Sequence, residues 1–269
     1  LGHQEWIRYG IRDRILRAFC NPTKINSQEF EIDFYGFRYK GNLNCYIDWV
    51  AYFYGAYEKQ ELRILRDLIK DKHNAVFIDV GANIGTHSIA LSNIFKNKIV
   101  IRAFEAQSNI YEMFNQSIKI NNLNNIELYH NAVSDKNDEI IRIDLPDYSK
   151  QNNFGGLELL KPFQNSDNAQ MKKSGIFEDI KSIKLDIFNE EVDFIKIDVE
   201  GMENLVLKGS KNLIVNHRPF LFMELLKSKL EDVTEFFKDK DYNIYSKGMD
   251  AFIIPVESKV NFKGLKKLL

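Results

Sequence analysis

The chain has 269 residues, with 37 Lys and Arg against 38 Asp and Glu and a formal net charge of −1 at pH 7, so no basic field favours a DNA or RNA partner. Cys20 and Cys45 form neither a disulfide framework nor a zinc motif, and no apolar run approaches the roughly 20 residues that span a bilayer. We therefore expect a soluble, cytoplasmic protein with no membrane span, whose oligomeric state the sequence does not indicate.

The first 74 residues predict a helical and hairpin extension ahead of the main domain. Apolar spacing indicates helices at Glu5–Phe19 and Tyr57–Ile69. Alternation in Phe30–Phe34 and Phe37–Tyr39 predicts a short hairpin. Four aromatic residues in this region either pack in the core, the commoner fate, or stack on sugar faces; they are Trp49, Tyr52, Phe53 and Tyr54.

Residues 75–269 alternate short apolar runs with longer amphipathic segments, which is typical of a mostly parallel sheet flanked by helices. The predicted strands are Val76–Val80, Ile99–Phe104, Ile126–Tyr129, Phe194–Ile197 and Phe220–Met223. The predicted helices are Thr86–Phe95, Asn109–Asn121 and Met202–Leu207. Tyr242–Tyr245 and Ala251–Ile254 predict an antiparallel pair at the sheet edge, whereas 146–178 is typical of a long polar loop, either a lid or an insertion. The pattern predicts a Rossmann-like α/β domain.

A glycine turn directly follows the first predicted strand of this domain. Asp79 ends that strand, and Gly81 and Gly85 precede a helix whose N terminus offers free N–H groups to a polar ligand. Asn83 stands where a dinucleotide fingerprint has its central glycine, which weakens a pyrophosphate-binding interpretation. Glu105 ends the next strand, where an acid can accept both ribose hydroxyls of a nucleoside. These residues predict a nucleoside cofactor and leave NAD and S-adenosylmethionine both open.

Two later segments add further candidates. Asn131 and Ala132, beyond the third strand, either border an adenine ring or cap a turn. Lys196, Asp198 and Glu200 alternate where a buried strand becomes a loop, at the edge where open α/β sheets bind ligands. They form either a structural ion-pair group or a site that positions or deprotonates an acceptor hydroxyl. Asp198 is the primary catalytic candidate, with Lys196 and Glu200 as its partners.

Glu224 and His87 complete the catalytic candidates. Glu224 ends the next strand and either faces the same cleft or is a solvated strand end. His87 follows the glycine turn, where a cap or packing role competes with a catalytic one. Asp198, Glu200 and Glu224 could bind Mg²⁺ together, but no histidines have a metal-ligand spacing. A divalent metal is therefore not favoured.

These motifs resemble those of the FkbM-type methyltransferases, which have the class I S-adenosylmethionine-dependent fold. The matching segments are Phe77–Gly85, Ala103–Glu105, Asn131–Asp135 and Phe194–Gly201. Many relatives have proline where this chain has Ala106. The resemblance implies that the cofactor is held by Asp79, Gly81, Ala82, Asn83, Gly85, Thr86, Glu105, Ala106, Asn131 and Ala132.

The same resemblance implies O-methylation of a carbohydrate or small natural product, with S-adenosylmethionine as donor and S-adenosylhomocysteine as product. An NAD-dependent oxidoreductase is the first alternative, disfavoured by Asn83 and by the lack of a Tyr-x-x-x-Lys pair. A degenerate cofactor-binding interaction module is the second. An Asn/Asp-Pro-Pro-aromatic tetrapeptide, expected of an enzyme that methylates nucleic-acid amino groups, does not occur.

Overall fold

The computed structural model describes residues 2–4, 6–148, 154–160, 173–258, 260 and 265–268. Its N-terminal elements are α1 (Tyr9–Phe19), β1 (Glu29–Phe34), β2 (Phe37–Asn42), α2 (Tyr46–Tyr54) and α3 (Lys59–Ile69). The predicted hairpin is confirmed, because β1 and β2 pair antiparallel with Phe34 opposite Phe37. The two predicted helices are also confirmed with later starts, at Tyr9 and Lys59; Glu5 lies outside the described residues.

Helix α2 is the N-terminal element that the sequence pattern did not predict. Every residue of this helix except Asp48 is apolar or aromatic, so no apolar stripe of helical period stands out against polar positions. Trp49 is fully buried and donates its indole Nε1–H to the Cys20 carbonyl at 3.0 Å. Trp49 is therefore a core residue and is not available to stack on a sugar.

The remaining elements follow from Ala75 onwards. The strands are β3 (Ala75–Val80), β4 (Ile99–Phe104), β5 (Ile126–Tyr129), β6 (Ala132–Val133), β7 (Ile140–Pro146), β8 (Lys173–Ile183), β9 (Phe194–Ile197), β10 (Phe220–Glu224), β11 (Tyr242–Lys247), β12 (Asp250–Pro255) and β13 (Lys266–Lys267). The helices are α4 (Thr86–Phe95), α5 (Ser108–Asn121), α6 (Glu203–Gly209), α7 (Lys211–His217) and α8 (Leu230–Phe237). Every strand and helix predicted for this part of the chain is present, with ends shifted by at most one or two positions.

The main sheet has the strand order β13-β11-β12-β10-β9-β3-β4-β5 over the described residues. The five strands from β10 to β5 are mutually parallel, and β12 pairs antiparallel with β10. The predicted C-terminal antiparallel pair is confirmed by β11 and β12, with Tyr245 opposite Phe252. The chain moves outward from β3 to β5 and then returns to β9, which creates a switch point between β3 and β9. Open α/β sheets bind ligands at such a point, outside the carboxyl ends of the strands.

A second sheet corrects the expectation of a long loop over 146–178. Strand β8 begins at Lys173 and pairs with β6 and β7 in the order β6-β8-β7. The first half of β8 is exposed on both faces, for example at Ile176 and Phe177, so burial imposes no alternation there. Residues 149–153 and 161–172 lie outside the described residues. The described part of the predicted loop is thus partly a strand.

The sheet lies between two layers of helices. Phe77 and Phe194 contribute to one core with α3, α4 and α5. Ile78 and Ile195, the next residues on each strand, contribute to the other core with α6, α7 and α8. Strands β1 and β2 also contribute side chains, such as Phe34, to the first core. The N-terminal elements therefore share a core with the sheet. None of the helices in the described ranges combines the length and apolarity that crossing a membrane requires.

Candidate active site

The glycine turn joins β3 to α4 at the switch point. Gly81 has φ +75°, and a Cβ there would lie 1.8 Å from the Asp198 carbonyl oxygen. Gly85 has φ +81°, and its Cβ would lie 2.1 Å from the Phe114 ring. Asn83 also has a positive φ of 54°, which asparagine tolerates better than most residues. The turn therefore requires glycine at positions 81 and 85 and accommodates Asn83 between them.

Glu105 follows β4 and points back towards this turn. Its side chain is buried, and its two oxygens accept the backbone N–H groups of Asn83 and Gln107, each at 2.9 Å. Burial raises the pKa of this carboxyl to about 7, although the backbone donors oppose the rise. Each carboxylate oxygen has a second lone pair beyond the one used here. Glu105 is thus fixed in place with remaining capacity to accept hydroxyl donors.

A first cleft of about 530 Å³ opens beside Glu105, over the carboxyl ends of β3, β4 and β9. Six of the predicted cofactor residues line it: Gly81, Asn83, Glu105, Ala106, Asn131 and Ala132. The Asn131 amide also donates to the Lys181 carbonyl at 3.1 Å, so Asn131 holds β8 as well as bordering the cleft. The structure therefore gathers the three cofactor motifs around one cavity.

The other four predicted cofactor residues lie elsewhere. Ala82 and Thr86 line a neighbouring second cleft of about 550 Å³. Gly85 packs on Phe114. Asp79 is buried behind the turn, where one oxygen accepts the Ser88 hydroxyl at 2.6 Å. Cofactor binding by these four residues stays a prediction. Asp79 would act on a cofactor only by holding the residues around it in place.

Lys196 on β9 lies close to both Asp79 behind the turn and Asp198 in the second cleft. The Lys196 side chain is buried, and its Nζ lies 3.0 Å from Asp198 Oδ2 and 3.9 Å from Asp79 Oδ1. Burial alone would raise the pKa of Asp198, but the ammonium group of Lys196 holds it below its ordinary value. Asp198 is therefore an ionised carboxylate in a fixed position, where the two clefts meet.

The second cleft is lined mainly by polar and charged side chains. It contains the predicted catalytic residues His87, Lys196, Asp198, Glu200 and Glu224. Burial, followed by the negative charge of Asp198, raises the pKa of Glu224. Burial lowers the pKa of His87 to about 3, so its imidazole is neutral. All five predicted catalytic residues thus share one cavity.

Glu58 is a lining residue of the second cleft that the sequence did not reveal. It lies at the start of α3, and the sequence pattern placed it inside a predicted helix. Its Oε2 lies 3.5 Å from His87 Nε2. Burial raises its pKa, with the nearby ammonium group of Lys196 opposing the rise. Glu58 reaches the second cleft only through the tertiary packing of the N-terminal elements on the sheet. No local pattern in the sequence predicts this position.

Three carboxyl groups in the second cleft are close enough for a shared cation. One ligand oxygen from each of Asp198, Glu200 and Glu224 lies within 4.8 Å of the others, and no other such group of acids, cysteines and histidines occurs in the described residues. Two ammonium groups already contact the cluster, since Lys227 Nζ lies 2.9 Å from Glu200 and Lys196 lies 3.0 Å from Asp198. Internal lysines therefore supply part of the positive charge that the cluster requires.

The fold and this site together define a class I Rossmann-like methyltransferase. The parallel strands, the switch point between β3 and β9, and the antiparallel β12 inserted beside β10 give the sheet order of that class. The glycine turn and Glu105 lie at the carboxyl ends of adjacent parallel strands, the edge at which open α/β sheets bind ligands. This is the fold that the sequence predicted.

The family can also be stated. The family model described as the methyltransferase FkbM domain matches residues 79–244, and this chain belongs to the FkbM methyltransferase family. The matched range begins at Asp79 and ends within β11, so it includes the first cleft and most of the second. Glu58 lies before the matched range.

Several solved structures are similar to this chain. Methyltransferase FkbM from Methylobacillus flagellatus KT is 19% identical, with a TM-score of 0.47 over 67% of this chain and 43% of that chain. This chain thus spans less than half the length of that protein. A precorrin-6y C5,15-methyltransferase from Geobacter metallireducens GS-15 is 11% identical, with a TM-score of 0.41 over 74% and 90%. A Streptococcus mutans methyltransferase in complex with SAH is 12% identical, with a TM-score of 0.41 over 71% and 96%. No curated protein matches the chain significantly.

Proposed function

We propose that this methyltransferase takes its methyl group from S-adenosylmethionine and transfers it to a hydroxyl group of a carbohydrate or small natural product. The proposal rests on the observation that two clefts meet at Asp198. The first cleft lies beside Glu105, the buried acid that we expect to bind the ribose, and the second is lined by polar groups. Methyl transfer needs the donor and the acceptor in line within one site. Two adjoining clefts that meet at the fixed carboxylate of Asp198 provide such an arrangement.

The first cleft fits the nucleoside part of the cofactor. Glu105 would accept the ribose hydroxyls, because each of its oxygens keeps a lone pair after bonding a backbone N–H. Gly81 lines this cleft beside Glu105, while Asn131 and Ala132 would border the base. When bound, the cofactor supplies an electrophilic sulfonium methyl group. The residues of the turn hold and orient it.

Asp198 is the residue that we assign to the acceptor hydroxyl. Its carboxylate is held in place by Lys196 at 3.0 Å and can accept a hydrogen bond from a hydroxyl in the second cleft. Fixing the direction of that hydroxyl reduces the entropy cost of in-line attack. Taking up its proton as the oxygen–carbon bond forms would contribute roughly 10²–10⁴-fold in rate. Lys196 acts through Asp198 as a positioning residue.

Ligand titration calorimetry tests the cofactor assignment. S-adenosylhomocysteine is expected to bind the wild-type chain, and Glu105→Gln is expected to weaken it by roughly 10- to 100-fold, the worth of hydrogen bonds to a charged group. Glu139→Gln, which changes an exposed glutamate in the pair with Lys136, is the matched control and should leave affinity unchanged. Binding of NAD in place of S-adenosylhomocysteine would identify the oxidoreductase alternative instead.

A second experiment tests the role of Asp198. Asp198→Asn should retain S-adenosylhomocysteine binding while methyl transfer falls by roughly 100-fold or more. Transfer is measured by mass spectrometry with S-adenosylmethionine and a panel of methyl glycosides. Unchanged turnover in Asp198→Asn would remove this residue from the chemistry.

A further inference from the structure

In the second cleft, two buried polar atoms that face each other lack hydrogen-bond partners. Among the described residues, neither Glu58 Oε2 nor His87 Nε2 has a hydrogen-bond partner, although both atoms are buried. The two atoms face each other at 3.5 Å, well beyond the roughly 2.9 Å of an ordinary N–H···O bond. Unsatisfied buried polar groups are rare in native proteins, and each one requires an explanation.

A structural role for Glu58 does not supply that explanation. Glu58 occupies the N-cap position of α3, but its side chain makes no capping hydrogen bond. Its backbone has φ +46°, in the left-handed region that costs a non-glycine residue roughly 1–3 kcal/mol. Both the backbone conformation and the side-chain position therefore reduce stability. Such residues cluster at functional sites, where the strain is part of the mechanism.

We infer that Glu58 and His87 form a subsite that binds a hydroxyl group of the acceptor, next to the hydroxyl that Asp198 orients. The inference rests on the proposed methyl transfer and extends it to the recognition of a second polar group. It also makes the N-terminal elements part of the active site, since α3 presents Glu58 from outside the range that the family model matches.

A hydroxyl group has the chemistry that these two atoms require. It donates its hydrogen to one partner and accepts from another through the same oxygen. A carboxylate side chain and a neutral imidazole nitrogen 3.5 Å apart offer those two partners. An anionic substituent would instead meet the ionised carboxylate of Asp198 in the same cleft, together with three further carboxyl groups, those of Glu58, Glu200 and Glu224. The subsite therefore favours a neutral polyhydroxylated acceptor over an acidic one.

Urea unfolding separates this ligand-binding role from a structural one. Glu58→Gln removes an unpartnered carboxylate, so the unfolding midpoint should stay level or rise. Glu203→Gln is the matched control, because Glu203 is buried but accepts bonds from the Gly201 N–H and the Ser228 hydroxyl. Its midpoint should fall. A fall in Glu58→Gln as large as that in Glu203→Gln would overturn the inference.

Nuclear magnetic resonance of histidine-labelled protein tests the binding itself, with glycerol as the hydroxyl probe. In the presence of S-adenosylhomocysteine, molar glycerol should shift the His87 ring signals in a saturable way, and Glu58→Ala, which removes the acceptor oxygens, should abolish the shift. The exposed His73 provides the internal control. Unmoved His87 signals, or equal shifts in wild type and Glu58→Ala, would refute the subsite. Failure of the cofactor proposal appears separately, as absence of S-adenosylhomocysteine binding by calorimetry.

Discussion

The Nζ of Lys196 lies 3.0 Å from the Oδ2 of Asp198, at the point where both clefts meet. The same ammonium group is 3.9 Å from Asp79, whose Oδ1 is buried without another partner among the described residues. One lysine thus compensates two carboxylates. Lys196→Met should lower the free energy of unfolding by about 3–5 kcal/mol, because it leaves buried charge unpaired. Urea denaturation measures the change.

The exposed pair Lys136 and Glu139 provides the control for this substitution. Its atoms are 3.0 Å apart, but both side chains are largely in solvent. Lys136→Met should therefore change the free energy of unfolding by less than about 1 kcal/mol. Equal effects of the two lysine substitutions would show that Lys196 does not stabilise the buried carboxylates.

The glycine turn gives a second prediction. Gly81→Ala places a Cβ 1.8 Å from the Asp198 carbonyl oxygen, at φ +75°. It should lower the free energy of unfolding by more than the roughly 1–3 kcal/mol of backbone strain alone, and it should weaken S-adenosylhomocysteine binding. Gly10→Ala in α1 is the control, since a Cβ there meets no atom within 4 Å. That change should stabilise by roughly 0.5–1 kcal/mol, and a Gly81→Ala protein as stable as wild type would contradict the geometry.

The turn also shows why much of the fold could be predicted from sequence. Asp79, Gly81 and Gly85 follow a short apolar run and precede an amphipathic segment, so local pattern and tertiary role agree. The parallel strands are buried on both faces and stand out as short apolar runs. Asn83 occupies the position of the central glycine of a dinucleotide fingerprint, and its weakening of the pyrophosphate interpretation stays a prediction.

The features that sequence did not reveal depend on non-local contacts. Glu58 enters the second cleft only because α3 packs on the same core as the sheet. Strand β8 forms through pairing with β7 although its first half buries neither face. Lys227, which lies 2.9 Å from Glu200, follows β10 in a segment with no motif. In each case the position is fixed by a partner distant in the chain.

A third prediction concerns metal ions. Lys196 and Lys227 lie 3.0 Å and 2.9 Å from two of the three clustered carboxylates, so a divalent cation would have to displace ammonium groups from Asp198 and Glu200. We therefore expect calorimetric titration with millimolar Mn²⁺ to show no stoichiometric binding, and S-adenosylhomocysteine affinity to be unchanged by chelators. Stoichiometric Mn²⁺ uptake that Glu224→Gln removes would contradict this expectation.

A final prediction concerns Asp48, which lies on α2 and lines neither of the two clefts. Asp48 is fully buried, and burial raises its pKa from 3.8 to about 6, although hydrogen bonds from the Tyr39 hydroxyl and the Asn42 N–H oppose the rise. Because the folded-state pKa is raised, the protonated form is the one that folding favours. The stability linked to this group is fully present below the unfolded-state pKa and is lost as the pH rises through about 6.

The size of that loss follows from the shift, which corresponds to about 3 kcal/mol. Asp48→Asn cannot titrate, so the wild type should lose about 2 kcal/mol more than Asp48→Asn between about pH 4 and about pH 7, since pH 4 already lies just above the unfolded-state pKa of 3.8. Urea denaturation at a series of pH values measures the difference, and comparing slopes cancels the hydrogen bond that the amide group loses to the Asn42 N–H. The curve of unfolding free energy against pH for Asp71→Asn, a change at an exposed position, should be parallel to the wild-type curve. Parallel curves for wild type and Asp48→Asn would instead show that Asp48 is ionised throughout and compensated by Tyr39 and Asn42.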